Sequence, residues 1–95
     1  MKKNYVIVRS QGAGVFFGNL ISKEGNEVRM DECRKIHYWD GAAAIEQLSL
    51  DGTSKPENCR FTVSVNNSVI MNVIQILPCT EKSVKSIQSV PEWKR

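Results

Sequence analysis

Short apolar runs separated by polar, glycine-containing turns dominate the chain, and this pattern predicts strands rather than long helices. Tyr5–Ser10 is an apolar run rich in β-branched residues and predicts a first strand. Val15–Ser22 predicts a second strand, in which Gly18 marks a bulge or a sharp bend. Lys23–Asn26 reads as a hairpin turn, so the chain is expected to open with antiparallel strands.

The third predicted strand begins at Glu27, where Val28 and Met30 alternate with charged neighbours as in a half-buried sheet. The polar residues 31–33 interrupt this pattern. Arg34–Trp39 then either resumes the strand or begins another one. Both alternatives keep the first part of the chain in β-structure.

Two short helices are predicted, one inserted between strands and one near the C-terminus. The first covers about Gly41–Leu50, with Asp40 as a plausible N-cap and Gly52 as its end. The second is capped by Thr80 and runs to about Ser89, with its apolar residues turned inward.

The segment between these helices predicts a tight strand pair. Phe61–Val65 alternates apolar and polar residues, and Asn66–Ser68 reads as a turn. Val69–Leu77 is the most hydrophobic run and predicts a central strand buried on both faces, which Pro78 ends.

These elements predict one domain over residues 1–95, with 91–95 as a C-terminal tail. The fold class is mainly β (α+β). Five or six strands with a sharply bent second strand suit a small Sm-like or SH3-like barrel carrying a short inserted helix and a short C-terminal helix. This is an analogy of fold alone and predicts no function.

Composition and charge narrow the picture only modestly. The chain has 95 residues and a net charge of +3, which is compatible with an anionic partner but below the basic density of a dedicated duplex binder. Cys33, Cys59 and Cys79 are odd in number and lack paired spacing, which favours reduced thiols without a metal. No signal peptide or membrane-length apolar run is present, so we expect a cytoplasmic protein without a membrane partner.

The sequence gives little support for an enzyme. His37 is the only histidine, and no serine lies in a nucleophile motif. Asp31 and Glu32 are adjacent on a predicted strand and would point to opposite faces. The glycines of 12–18 lack the lysine of a phosphate loop and lead into a strand. We therefore expect no catalytic residues, no metal and no cofactor.

The stretch HYWDGAAAIEQ, residues 37–47, is the strongest candidate for a binding site. A helix that begins with glycine and alanines exposes amide donors that accept phosphate, and neighbouring aromatic rings can stack on a base. Positive charge from the preceding strand would assist, and an aspartate would cap the helix or hold a ribose hydroxyl. The predicted ligand-binding residues are Arg34, Lys35, Tyr38, Trp39, Asp40, Gly41, Ala42 and Ala43. The alternative is that the alanines pack tightly and Trp39 belongs to the core.

Three segments carry a resemblance that covers nearly the whole chain: YVIVRSQGAGVFFGNL, RKIHYWDGAAAIEQLSLDG and VIQILPCTEKSVKSIQSVPEWK. They are similar to a family of small uncharacterised proteins common in bacteriophage and prophage genomes. The resemblance implies a phage origin and a host bacterial cytoplasm, and it transfers no activity to particular residues. One class of small phage proteins without catalytic residues resembles a molecular sponge, a homo-oligomer that sequesters cyclic nucleotide or cyclic ADP-ribose signals of antiviral defence, and the aromatic and small-residue features of this chain fit that class.

Two function classes follow. The first is a homo-oligomeric binder of a small nucleotide-type immune signal, acting without catalysis. The second is an Sm-like accessory barrel that binds RNA or protein, with RNA the less favoured partner. An enzyme acting on the same signal lacks a credible catalytic set.

Overall fold

A computed structural model describes residues 3–93, and these residues form a mainly β fold with two short helices. Its elements in chain order are β1 (Tyr5–Ser10), β2 (Gly14–Glu24), β3 (Glu27–Tyr38), α1 (Ile45–Asp51), a 3₁₀ turn (Pro56–Asn58), β4 (Arg60–Phe61), β5 (Ser68–Ile70), β6 (Val73–Pro78) and α2 (Glu81–Gln88). The first strand has the predicted bounds, and both predicted helices are present.

All six strands belong to one antiparallel sheet. The path of paired strands is β4-β3-β2-β1-β6, and β5 pairs with the other half of β3. Within the described residues no ladder joins β5 to β6, so the sheet is not closed. The mainly β prediction is confirmed in this coarser form, and the closed barrel is not.

The irregularity predicted at Gly18 is present in the pairing of β2 with β3, and its extra residue belongs to β3. Gly18 faces two residues of β3, Glu32 and Cys33, and Glu32 has a left-handed φ of 52°. A Cβ on Gly18 would lie 2.9 Å from the carbonyl oxygen of Asp31, so only glycine allows this close approach. The polar interruption in the sequence is therefore a bulge, and β3 continues through it as one strand.

Val69–Leu77 is not the single central strand that the sequence predicts. It breaks at Met71 and Asn72, where Asn72 has a φ of 59°, into β5 on β3 and β6 on β1. Val69, Met71 and Ile74 remain exposed. The segment has apolar residues on both faces, but each half has only one paired neighbour in the described structure.

The strand buried on both faces is β1. Ile7 packs into a first core with Phe17, Phe61 and the helices, whereas Val6 and Val8 pack into a second core on the opposite face. This explains the unbroken apolar sequence of β1, since a strand covered on both sides has no solvent face to fill with polar residues.

The predicted strand 61–65 is shorter than its alternation indicates. Only Arg60–Phe61 forms a strand, and Val65 joins Cys33 through an isolated bridge. The Asn66–Ser68 turn ties this region to the β3 bulge, because the Asn66 side chain accepts from the amide of Glu32 at 3.0 Å. A hydrogen bond from backbone to side chain thus replaces part of the expected backbone ladder.

Helix α1 begins at Ile45, not at Gly41. Its N-cap is Ala44, which provides no side-chain hydrogen bond, so Asp40 is not the cap. The end at Gly52 is confirmed, as is the Thr80 cap of α2, whose side chain accepts from the amide of Ser83. The shortened α1 follows from the conformation of 41–44, which is bent rather than helical.

Candidate ligand-binding site

Arg34 is a buried structural residue. It is 6% exposed, and its guanidinium donates to the carbonyl oxygens of Thr62, Ile87, Phe61 and Pro91 at 2.8–3.3 Å. Burial lowers the pKa of Arg34 from its ordinary value, and the nearby charge of Glu92 opposes that shift. The side chain holds the C-terminal segment against β4 and faces a cavity of only about 200 Å³.

Lys35 and Trp39 do not join Arg34 in a common site. Lys35 is exposed, and its amide donates to the Thr62 hydroxyl at 2.8 Å. Trp39 and Ala42 are half-buried and pack against the first core. Trp39 therefore packs against the core, as the alternative interpretation of the sequence predicts, and Ala42 does the same.

The backbone amides predicted to meet a phosphate already have partners at two positions. The amide of Gly41 donates to Asp40 Oδ1 at 2.8 Å, and that of Ala43 donates to Gln47 Oε1 at 2.9 Å. Gly41 has a φ of 83°, and a Cβ there would lie 2.7 Å from the amide nitrogen of Lys55. Glycine at this position permits close packing against the loop at 53–55. This packing explains the presence of glycine at position 41 without a ligand.

Tyr38 and Asp40 both line a surface cavity of about 440 Å³, which we call the aromatic cleft. Its lining residues come from the end of β3, the 3₁₀ turn, the start of β4 and the C-terminal segment: Tyr38, Asp40, Glu57, Asn58, Cys59, Arg60 and Trp93. The volume lies within the range of small-molecule sites.

Three separate parts of the chain form this cleft. Tyr38 pairs with Arg60 across the β3–β4 ladder. The C-terminal segment lies beside β4, because Glu92 forms a parallel bridge with Phe61 and the Trp93 amide donates to the Phe61 carbonyl at 2.8 Å. Residues 92 and 93 are thus packed on the sheet, whereas 94 and 95 of the predicted tail lie outside the described residues.

Aromatic and cationic groups form one wall of the cleft. The rings of His37 and Trp93 stack with centroids 4.7 Å apart, and the Arg60 guanidinium carbon lies 5.7 Å from the Trp93 ring centroid. Trp93 therefore already contacts two neighbours. Tyr38 is 51% exposed and has its ring open to solvent, so it is the residue best suited to stack on a ligand.

Asp40 and Asn58 form the polar edge of the cleft. Asn58 Nδ2 donates to Asp40 Oδ2 at 3.1 Å. This hydrogen bond, followed by that from the Gly41 amide and the positive charge of Lys55, holds the pKa of the Asp40 carboxyl below its ordinary value. Asp40 is therefore an ionised acceptor at neutral pH.

Cys59 lies at the inner side of the cleft and is buried. The Cys59 thiol lies 3.6 Å from the Asp40 carbonyl oxygen and 3.5 Å from the Lys55 carbonyl oxygen, which are contacts of a buried structural thiol. Within residues 3–93 no group of three His, Cys, Asp or Glu side chains is placed to hold a metal ion. The arrangement is suited to binding by stacking, hydrogen bonds and charge.

Sequence reasoning missed Asn58, Arg60 and Trp93. Asn58 lies in a polar loop with no local motif, Arg60 begins the short strand β4, and Trp93 follows Pro91 in a segment read as a tail. The available signal was the large aromatic residue itself, since tryptophan side chains are highly buried on average.

One comparison assigns the chain to a family. The family described as Domain of unknown function (DUF6948) matches residues 3–87. The chain belongs to this family. No curated protein and no solved structure shows a significant match. The DUF6948 match agrees with the expectation of an uncharacterised family and covers β1 to most of α2, including every cleft residue except Trp93.

The helices of the described part are short. None is long and apolar enough to cross a membrane, and α2, with eight residues, is the longer of the two.

Proposed function

We propose that this protein binds a nucleotide-type ligand in the aromatic cleft without converting it chemically. The observation that carries the proposal is the exposed ring of Tyr38 beside the Arg60 guanidinium and the Asp40–Asn58 pair in one cavity of suitable size. A nucleotide offers a flat base, hydrogen-bonding edges and a phosphate, and each of these has a counterpart in the cleft.

Each group has a distinct role in this proposal. Tyr38 stacks on the base, and Arg60 meets the phosphate. Asp40 accepts hydrogen bonds from the base or the ribose, and Asn58 can both donate to them and accept from them. The positive charges of Arg60 and nearby Lys55 offset the carboxylates of the cleft, so the site does not repel an anion as strongly as its acids alone would.

The biological setting we propose is that of a phage accessory protein in a bacterial cytoplasm. It would sequester a host immune signal of the cyclic nucleotide or cyclic ADP-ribose class. The resemblance to phage and prophage proteins supports this setting, and the exposed Tyr38 ring with the Asp40–Asn58 pair supports binding of the signal in the cleft. An Sm-like or SH3-like barrel remains part of this proposal, supported by the strand path and by the two-residue corner between β5 and β6.

The direct test is calorimetry or thermal-shift titration of the full chain with mono-, cyclic and cyclic oligonucleotides. Tyr38→Ala should weaken binding about ten- to a hundredfold, since a stacked base contributes about 1–3 kcal/mol. Tyr38→Phe retains the ring and should bind nearly as the wild type does. Arg60→Ala should weaken binding, while Arg29→Ala, an exposed arginine on the other half of β3, should not.

Two results would contradict the proposal. One is a wild-type protein that binds no member of the series. The other is a folded Tyr38→Ala variant that binds as tightly as the wild type, which would move the site elsewhere.

Single-stranded RNA is the alternative ligand, favoured by the same combination of an exposed ring and an adjacent arginine. RNA binding would fall steeply with salt because several phosphates release counterions, whereas a mononucleotide would show a shallow dependence. Gel shifts of a short RNA at increasing salt distinguish the two.

We also propose that the protein forms a homo-oligomer. Val69, Met71 and Ile74 are exposed along the β5–β6 corner, and a chain of this size has a small core. A second copy would cover these side chains.

A further inference from the structure

The Asp40 carboxylate is the feature of the aromatic cleft that phosphate binding does not explain. It lines the cavity, its pKa is held below the ordinary value, and a phosphate near it would be repelled. Each Asp40 oxygen already accepts one intramolecular hydrogen bond, and a ligand group that donates hydrogen bonds would use the acceptor positions that are left. The identity of that donor group constrains the ligand.

The polar edge still has capacity to accept hydrogen bonds. Asp40 Oδ1 accepts from Gly41 and Oδ2 accepts from Asn58, while a carboxylate offers about four acceptor positions. The Asn58 amide uses Nδ2 toward Asp40, so its carbonyl oxygen is the end turned away from that contact. Glu57 adds a second acid to the lining. The edge is therefore rich in acceptors and poor in donors.

The nucleobases differ in how well they match such an edge. Guanine presents two adjacent donors, the ring N1–H and the exocyclic amino group, which match the two oxygens of a carboxylate. Adenine presents one amino donor beside a ring nitrogen that is an acceptor, and that lone pair would face the negative carboxylate. Uracil presents a single N–H flanked by two carbonyl acceptors.

We propose that the aromatic cleft selects guanine, with Asp40 accepting from N1–H and the amino group while the base stacks on Tyr38. This inference rests on the proposed nucleotide-binding function and narrows its ligand class to guanine-containing nucleotides, in preference to the adenine-containing cyclic ADP-ribose class. Asp40 sets the specificity, and Arg60 meets the phosphate without regard to the base.

A ribose hydroxyl is the competing donor for Asp40. It occurs in guanosine and adenosine nucleotides alike, so it predicts no preference between them. Guanine recognition predicts a preference that depends on single atoms of the base.

The experiment is calorimetry of the full chain with three probes, the 5′-monophosphates of guanosine, inosine and adenosine. Inosine retains N1–H and lacks only the amino group. We expect guanosine to bind about five- to 150-fold more tightly than adenosine, the discrimination of one good bidentate contact, with inosine between them. This series uses the unaltered protein, so it decides the question even if a variant fails to fold.

Asp40→Asn supplies the second measurement. It keeps one acceptor and adds a donor, so the preference for guanosine should fall to a few-fold or less while adenosine binding is retained. Asp51→Asn is the matched control, because Asp51 is an exposed acid of α1 that pairs with Lys82 outside the cleft. Circular dichroism verifies that both variants are folded.

Equal affinity of the wild type for guanosine and adenosine probes would overturn the guanine inference and leave nucleotide binding intact. So would a folded Asp40→Asn variant that retains the full preference. Absence of binding for all three probes would also overturn the guanine inference. Only a protein that in addition binds no member of the mono-, cyclic and cyclic oligonucleotide series would overturn the proposed function, which distinguishes the two failures.

Discussion

At the scale of single residues, neighbours in the chain lie in different surroundings and have unrelated roles. Arg34 is buried and donates to four backbone carbonyls, while Lys35 is exposed. Tyr38 is exposed in the aromatic cleft, while Trp39 packs against the first core. Residue type alone does not show which member of each pair is buried and which is exposed.

Arg34→Met tests the structural role of the buried arginine. The change removes the guanidinium hydrogen bonds to four backbone carbonyls, so the free energy of unfolding should fall by about 2–4 kcal/mol. Lys35→Met is the control and should change it by less than about 0.5 kcal/mol. Urea denaturation measures both, and equal effects at the two positions would contradict the role assigned to Arg34.

Ionisation of the Cys79 thiol makes the free energy of unfolding depend on pH in the alkaline range. Burial, opposed by a hydrogen bond with Ser83, raises the pKa of Cys79 from 9.0 to about 11. The folded protein therefore favours the protonated thiol, and this contribution is full below pH 9. As pH rises from 9 to 11 the unfolded chain loses its proton first, so the free energy of unfolding decreases.

Cys79→Ala should remove this part of the pH dependence. We expect the fall in unfolding free energy between pH 8.5 and pH 10.5 to be smaller in the variant by roughly 1–2 kcal/mol. Denaturant titrations under reducing conditions measure it. Parallel pH profiles for the two proteins would show that the thiol does not contribute.

At the scale of elements, close backbone contacts decide where strands and helices bend or stop. Gly18 allows β2 to lie close to the bulge of β3. Gly52 ends α1 at a position where a side chain would collide with Ser86 of α2. The bend at 41–44 likewise depends on Gly41 lying against the 53–55 loop. These contacts explain why α1 is shorter than its sequence pattern predicts.

Gly41→Ala tests the packing of this bend. The left-handed φ of 83° and a Cβ within 2.8 Å of two backbone nitrogens should lower the free energy of unfolding by about 2–4 kcal/mol. Gly25→Ala is a matched control, since Gly25 also has a positive φ but no atom within 4 Å, and should cost about 1 kcal/mol. Thermal unfolding of both variants gives the comparison, and similar losses would mean that contact with the loop is unimportant.

At the scale of the whole molecule, two cores on opposite faces of one sheet leave apolar residues uncovered at the β5–β6 corner. Met71 is 61% exposed and Ile74 is 56% exposed. They occur where the chain leaves β3 to pair with β1, so neither helix covers them. This surface is the basis of the proposed homo-oligomer.

Met71→Lys combined with Ile74→Lys should shift the protein toward monomer. Charged side chains at an apolar interface oppose its burial, so the dissociation constant should rise at least about a hundredfold. Light scattering across a concentration series measures the change, with Leu50→Lys as an exposed apolar control on α1. A wild type that remains a monomer at micromolar concentration would contradict the proposal.

The sequence determined the features that depend on local chemistry. The β-branched run predicted β1, Gly18 marked the irregular pairing of β2 with β3, and Thr80 and Gly52 marked helix ends, because each signal lies within a few residues of the feature. The candidate stretch at 37–47 also contained two of the cleft residues, Tyr38 and Asp40.

Only the tertiary structure decided the rest, because those features depend on partners far away in the chain. Val69–Leu77 splits since its halves pair with different strands, which no local hydrophobic pattern records. Arg34 is structural because β4 and the C-terminal segment bring carbonyls around it. Trp93 reaches the cleft through a bridge to β4, so the site exists only after residues from three distant segments have packed together.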